Sequence, residues 1–256
     1  MYNIKEKFNG KIYLPFKEAI EKYGLISAGD KIAVCISGGK DSMLMAKLFM
    51  EYQKESNIDF GIEFLVMDPG YNEANRRQIE YNIERLQIPA VVFESDIFDA
   101  VKDVNKSPCY LCARMRRGCL YGKAKELGCN KIALGHHYDD VIETILMSMI
   151  YGAQIQTMMP KLHSTNFDGM ELIRPLYLIR EDAIKEWRDY YNLQFIQCAC
   201  RFTEANANDE DNSSKRQEIK KLIKELKKNN PDVEENIFKS VDNVCLDGIF
   251  SIKREK

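Results

Sequence analysis

The hexapeptide Ser37-Gly38-Gly39-Lys40-Asp41-Ser42 follows directly on the apolar run Ile32-Ala33-Val34-Cys35-Ile36, and helical spacing of apolar residues begins right after it. Adjacent glycines at such a junction let the backbone turn tightly and approach a phosphate closely. The N–H groups that open the next helix then offer it a positive dipole end. A chain with this junction is expected to place a parallel strand beneath an anion site, which is the layout of a nucleotide pocket.

The spacing does not fit a Walker A loop, which needs four residues between its first Gly and Gly-Lys, nor the dinucleotide Gly-x-Gly-x-x-Gly pattern. Strand, Ser-Gly-Gly-x-Asp-Ser, helix resembles instead the pyrophosphate loop of the N-type ATP pyrophosphatases. A plain Gly-Gly turn with a Ser or Asp helix cap is the bland alternative.

Apolar segments at residues 32–36, 62–67, 90–93, 131–134 and 172–175 read as strands, and helical patterns start near Asp41, Asn72, Tyr110 and Asp139. Such alternation predicts an α/β fold: a doubly wound, mostly parallel five-stranded sheet with helices on both faces, followed by C-terminal helices. Three regions are expected, namely an N-terminal helical segment over 1–30, an ATPase domain over 31–200, and a polar loop with a helical extension over 201–256. In that extension Ile219, Leu222, Ile223 and Leu226 form an apolar stripe flanked by Lys220, Lys221, Lys224, Lys227 and Lys228. The lysines read equally as a solvated face or as an RNA contact.

The 256 residues carry a formal charge of −2, so any nucleic acid must be met by a local basic patch and not by a chain that is basic all over. No apolar run is long enough to span a bilayer, and the first residues lack the apolar core of a secretory signal. Eight cysteines in that setting predict reduced thiols in a cytoplasmic protein with no membrane partner, so their spacing is read for metal or catalysis first.

Pro108-Cys109-Tyr110-Leu111-Cys112 presents a C-x-x-C pair, and Cys198-Ala199-Cys200 follows far downstream. Two thiolates so spaced reach one metal centre, and a remote third completes a pocket. Three readings stand: a closed zinc site on Cys109, Cys112, Cys198 and Cys200; a redox dithiol at Cys109 and Cys112; or three thiolates on an iron–sulfur cluster with one iron open for sulfur. Cys35, Cys119, Cys129 and Cys245 are expected to carry no catalytic duty.

Leu134-Gly135-His136-His137-Tyr138-Asp139-Asp140 leaves a strand and opens a helix. Its glycine permits close approach to a nucleotide, and its carboxylates can hold Mg²⁺ near phosphates. Arg114, Arg116 and Arg117 beside the first cysteine pair can bind phosphate bidentately, with 116 and 117 the better placed; Arg174 is a weaker candidate.

Taken in order and spacing, Ser-Gly-Gly-Lys-Asp-Ser, Pro-Cys-x-x-Cys-x-Arg-x-Arg-Arg-Gly, Leu-Gly-His-His-x-Asp-Asp, Arg174-Pro175-Leu176 and Phe195-Ile196-Gln197-Cys198 resemble the tRNA 2-thiocytidine synthetase (TtcA) family from about residue 32 to 200. The resemblance implies the adenine nucleotide alpha hydrolase-like fold and a tRNA sulfurtransferase. Such an enzyme adenylates a pyrimidine carbonyl with ATP, at cytidine 32 of tRNA, and replaces oxygen by sulfur. It further implies a [4Fe-4S] cluster on three cysteines, Mg²⁺, a sulfur donor (a cysteine desulfurase or sulfide), and a homodimer. Where the family commonly has C-x-x-C at the distal site this chain has C-x-C, so Cys198 and Cys200 both remain candidates for the third ligand.

On this reading Ser37, Gly38, Gly39, Lys40, Asp41 and Ser42 cradle pyrophosphate, and the backbone near Ala33 and Met67 flanks adenine. Gly135 approaches the nucleotide, and Arg116 matches a basic position near ATP. Lys40, Asp41 and Asp140 are the catalytic candidates, Asp140 by correspondence with a catalytic acidic position of the family. The alternatives are an amidotransferase or ligase acting on a small carbonyl compound, a cluster-dependent desulfidase or sulfur transferase, and a zinc-stabilised ATP-binding module.

Overall fold

The computed structural model describes residues 3–101, 108–196 and 215–249. They form two compact units, one of residues 1–138 with 159–209 and one of 139–158 with 210–256.

The first unit is built on a sheet of β1 (Lys31–Ile36), β2 (Gly61–Asp68), β3 (Ala90–Glu94), β4 (Lys131–Ala133), β5 (Lys161–His163) and β6 (Glu171–Ile173), ordered β3-β2-β1-β4-β6-β5. All neighbours are parallel except β5 and β6, which pair antiparallel. Six strands replace the five expected. The missed one, β5, is three residues long and follows Pro160, too short to show any alternation.

Burial on both faces explains the near-continuous apolar character of β1. Ile32, Val34 and Ile36 face a core that includes Met43, Phe49 and Trp187, whereas Ala33 and Cys35 face a second core with Tyr121, Ala124 and Ile132. The first core is supplied by α1 (Ile4–Phe8), a π-helical turn (Asn9–Tyr13), α2 (Leu14–Lys22), α3 (Lys40–Glu55), α4 (Glu73–Arg85) and α8 (Glu181–Tyr190). The second is supplied by α6 (Pro108–Glu126). Short α5 (Ile97–Ala100) caps a third cluster, described below.

Helix α7 (Tyr138–Gly152) runs mainly in the second unit, with α9 (Lys215–Asn229) and α10 (Val233–Ser240). None of the described helices is long and apolar enough to cross a membrane.

Beneath the sheet, Lys131 is buried between Asp30 and Glu171, its Nζ 2.7 and 3.1 Å from their oxygens. Burial alone would raise the Asp30 carboxyl, but hydrogen bonds from Lys131, Asn130 and the Ser27 N–H outweigh it and lower the pKa. A carboxyl lowered in the folded state contributes stability that is complete above its unfolded pKa of about 3.9 and lost as pH falls through the folded value. Stability measured by urea unfolding is therefore expected to decline on acidification below pH ~4. In Asp30→Asn that decline should be shallower, because one titrating group is gone.

Candidate active site

Strand order reverses between β1 and β4, with β2 and β3 on one side and β6 and β5 on the other. A crevice beyond the carboxyl ends of β1 and β4 is where a doubly wound sheet binds ligands. The loop of residues 37–42 leaves β1 at that point. Gly38 has φ +84°, and a Cβ there would stand 2.6 Å from Ile79 Cγ1 and 2.8 Å from Ile196 Cδ1. Glycine is thus required twice over, by dihedral and by space. Gly39 is the N-cap of α3 with extended φ and ψ and no side-chain cap, so the first N–H groups of that helix face outward for an anion. Buried Ser42 closes the loop: its Oγ accepts from the Ser37 N–H (3.1 Å) and donates to the Gly39 carbonyl (3.0 Å).

Gly135, after β4, presses on this loop. A Cβ there would lie 3.1 Å from the Ser42 N and 3.2 Å from the Asp41 carbonyl carbon. His137 is buried with Nε2 3.9 Å from Asp41 Oδ1. Lys40 Nζ sits between Asp41 (3.1 Å) and Glu181 (3.2 Å), the latter opening α8. Gly39, Lys40, Asp41 and Glu181, with Lys185, Phe195 and others, line a cleft of about 630 Å³.

On the other flank, Asp68 ends β2 and accepts from the Gly70 and Tyr71 N–H groups (2.9 and 2.7 Å), which turns the chain sharply. Tyr71 then reaches both elements of interest. Its hydroxyl donates to the Ser37 carbonyl and accepts from Arg116 Nη2, each at 3.4 Å. Burial pushes the Tyr71 phenol up, with Arg116 opposing, so it stays protonated as a donor. Arg116 and Cys112 lie one turn apart on α6. Cys112 is buried in a cluster with Met67, Ile97, Phe98 and Val101, against which Tyr71 packs.

The structure thus brings together Ser37, Gly38, Gly39, Lys40, Asp41, Ser42 and Gly135, with Arg116, Cys112 and Met67 joined to them through Tyr71. Ala33 is not among them. It is fully buried three residues short of the end of β1 and registered between Glu63 and Ile132, inside the sheet. Cys109 is in α6, one turn before Cys112, a spacing that suits two thiolates on one centre. Cys198 and Cys200 lie outside the described residues. Cys35 is sealed in the core, where burial drives its thiol pKa up to about 12, and Cys129 is buried too. Neither is available as a thiolate.

Asp139 and Asp140 belong to the second unit. There Asp140 Oδ1 pairs with Arg216 Nη1 at 3.0 Å, and the same guanidinium holds buried Glu143 at 2.9 Å. Among the described residues no group of three or more His, Cys, Asp or Glu side chains is arranged as a metal site.

Tyr71 and Glu181 were not singled out from sequence. Tyr71 follows Asp68-Pro69-Gly70, a turn signal directly after a strand, which could have marked it. Since Gly38 admits neither a side chain nor a negative φ, Gly38→Ala is expected to cost ~2 kcal/mol or more of stability, measured by chemical unfolding, and to abolish binding of an ATP analogue measured by calorimetry.

Comparison with known proteins agrees with this geometry. Residues 8–226 match the PP-loop domain family. The chain is 36% identical to the tRNA-cytidine(32) 2-sulfurtransferase of Chromohalobacter salexigens, covering 89% of this chain and 78% of that one. To the enzyme of the same name from Coxiella burnetii it is 37% identical, covering 89% and 87%. Among solved structures, the U34-tRNA thiolase NcsA of Methanococcus maripaludis, determined with its [4Fe-4S] cluster, shares the fold with a TM-score of 0.69 at 22% identity, covering 90% of this chain and 76% of that one. The chain belongs to the PP-loop family and, within it, to the tRNA 2-thiocytidine synthetases.

Proposed function

We propose that the protein is an ATP-dependent tRNA sulfurtransferase that adenylates the C2 carbonyl of cytidine 32 and replaces its oxygen by sulfur. The observation that carries this reading is the Tyr71 bridge, which sets a phosphate loop and a cysteine-bearing helix side by side.

A pyrimidine carbonyl oxygen is a poor leaving group. Its attack on the α-phosphate of ATP releases pyrophosphate and turns the oxygen into part of AMP, which can depart. The outward N–H groups of residues 39–42 receive the departing phosphates, and Lys40, turning from Asp41 and Glu181, offsets their growing charge. Arg116, which donates to the Tyr71 hydroxyl, offers a guanidinium to the same phosphates. Met67 leaves adenine a neighbouring backbone at the end of β2. The carboxylates of Asp139 and Asp140 would be the Mg²⁺ ligands in this reading, Asp140 giving up its contact with Arg216, which Glu143 continues to hold.

Cys109 and Cys112 fit a [4Fe-4S] cluster by donor chemistry and by their one-turn spacing, with Cys198 or Cys200 as third ligand. Ile196, two residues before Cys198 in sequence, packs at Gly38. A cluster held by those thiolates would supply the sulfur as hydrosulfide, taken up as sulfide or as a desulfurase's persulfide reduced by two electrons from an external thiol, and the hydrosulfide would form the C–S bond as AMP leaves. The apolar wall of Met67, Phe98 and Val101 around Cys112 excludes water from an adenylated base that water would otherwise hydrolyse.

Anaerobically reconstituted protein given tRNA, ATP and sulfide is expected to form 2-thiocytidine, read by mass spectrometry of the nucleosides, with one pyrophosphate released per sulfur inserted. Pyrophosphate release without tRNA, or a different thiolated base, would contradict the assignment. Cys112→Ser should fail to develop the visible absorption of an iron–sulfur cluster on reconstitution and lower thiolation beyond the roughly 10–100-fold typical of changes outside the ligand set, while ATP-analogue binding persists. Lys40→Met should slow adenylation by about 10²–10³-fold with the cluster intact.

A further inference from the structure

Helix α9 carries seven basic residues against two glutamates, in a chain whose formal charge is −2. Lys215 lies over the Tyr151 ring, 5.0 Å from its centroid, and the other six basic residues divide into two sets. Arg216 is bound to Asp140 and Glu143, Lys220 lies 3.5 Å from Glu143, and Lys227 pairs with Glu234 of α10, so their charge is spent within the unit. Buried Ile219 and Ile223 fix the inner line of the helix. At about 100° per residue, Lys221, Lys224 and Lys228 fall within an arc of about 60° on the opposite side and extend over about 10 Å of axis. All three are exposed. Lys221 and Lys224 have no ion-pair partner among the described residues, and Lys228 makes a surface pair with Glu225 (2.6 Å) of a kind that contributes little.

We infer that this outward stripe, Lys221, Lys224 and Lys228, is a docking surface for the sugar-phosphate backbone of the substrate tRNA, an inference that rests on the sulfurtransferase reading. Charge complementarity names the occupant: a row of exposed ammonium groups, two of them without an ion-pair partner among the described residues, meets a polyanion and gains by releasing its counterions. A lipid surface fits less well. A membrane-seated helix inserts its whole apolar line, but here Ile219 and Ile223 are already buried, which leaves only Leu222 and Leu226 exposed, and the three lysines lie away from that line. The clamp of Arg216 and Lys220 on α7 holds the stripe in a set orientation, so phosphate contacts here position the tRNA without reading its sequence.

The test compares the full-length protein with its Lys221→Gln/Lys224→Gln/Lys228→Gln and Lys221→Glu/Lys224→Glu/Lys228→Glu variants. Affinity for the tRNA is measured by fluorescence anisotropy across a salt series, and thermal melting reports the fold. The glutamine variant should bind at least about tenfold more weakly near 0.1 M salt, with a slope of log affinity against log salt shallower by about 2–3. The glutamate variant should be weaker still. The KM for tRNA should rise in both. Unchanged affinity and slope in folded variants would overturn the surface while leaving the sulfurtransferase reading in place. Loss of binding to phosphatidylserine vesicles with tRNA affinity intact would also overturn it, in favour of a membrane. Failure of the unaltered protein to bind tRNA at any salt would remove the enzymatic reading, and this inference with it.

Discussion

The close approach of Gly135 to the backbone of Asp41 and Ser42 is the constraint from which the rest of the site follows. Strands leaving β1 in opposite directions open a crevice at their carboxyl ends, but a crevice alone binds nothing. Here two tight backbone segments, each needing a glycine, are packed so closely that neither can move without the other. Ser42 bonds the loop to itself, Gly39 leaves the head of α3 uncapped, and the free N–H groups are thereby held ready for phosphate before any ligand arrives. Such pre-formed donors need not reorganise when charge develops on them.

Tyr71 extends that rigid frame toward the cysteines. Its ring rests on Phe98 and its hydroxyl touches both the Ser37 carbonyl and Arg116, so the turn after β2 fastens the phosphate loop to α6. Cys112 consequently sits in an apolar cluster beside an ATP loop, whereas Cys35 and Cys129 are buried in the sheet's other core with raised thiol pKa values. Burial is common to all three thiols; only Cys112 has the phosphate loop as a neighbour, through Tyr71.

Much of this was legible in the chain, because its signals are local. Parallel strands buried on both faces read as continuous apolar runs, and a Gly-Gly turn between strand and helix has few meanings, so the sheet, the loop and the C-x-x-C helix were all recoverable. What escaped was set by contacts distant in sequence. Strand β5 exists because β6 offers it an edge, which three residues cannot advertise. Tyr71 gains its role from Ser37 and Arg116, 34 and 45 residues away, and Glu181 from Lys40. Ala33, assigned with Met67 to flank adenine, lies three residues before the end of β1, a depth that strand pairing sets and apolar spacing does not show. Asp140 pairs with Arg216, 76 residues on, a contact that no motif announces.

Magnetic coupling tests most directly whether nucleotide and cluster lie side by side, as proposed. A [4Fe-4S] cluster held as proposed would be paramagnetic in the anaerobic, reduced protein, and Mn²⁺ bound with a non-hydrolysable ATP analogue is a strong relaxing agent for any nearby spin. Adjacency predicts that adding the Mn²⁺–nucleotide complex sharply shortens the cluster's electron-spin relaxation, while the Mg²⁺ complex does not. Relaxation unaltered by Mn²⁺ at saturating nucleotide would contradict a shared cavity.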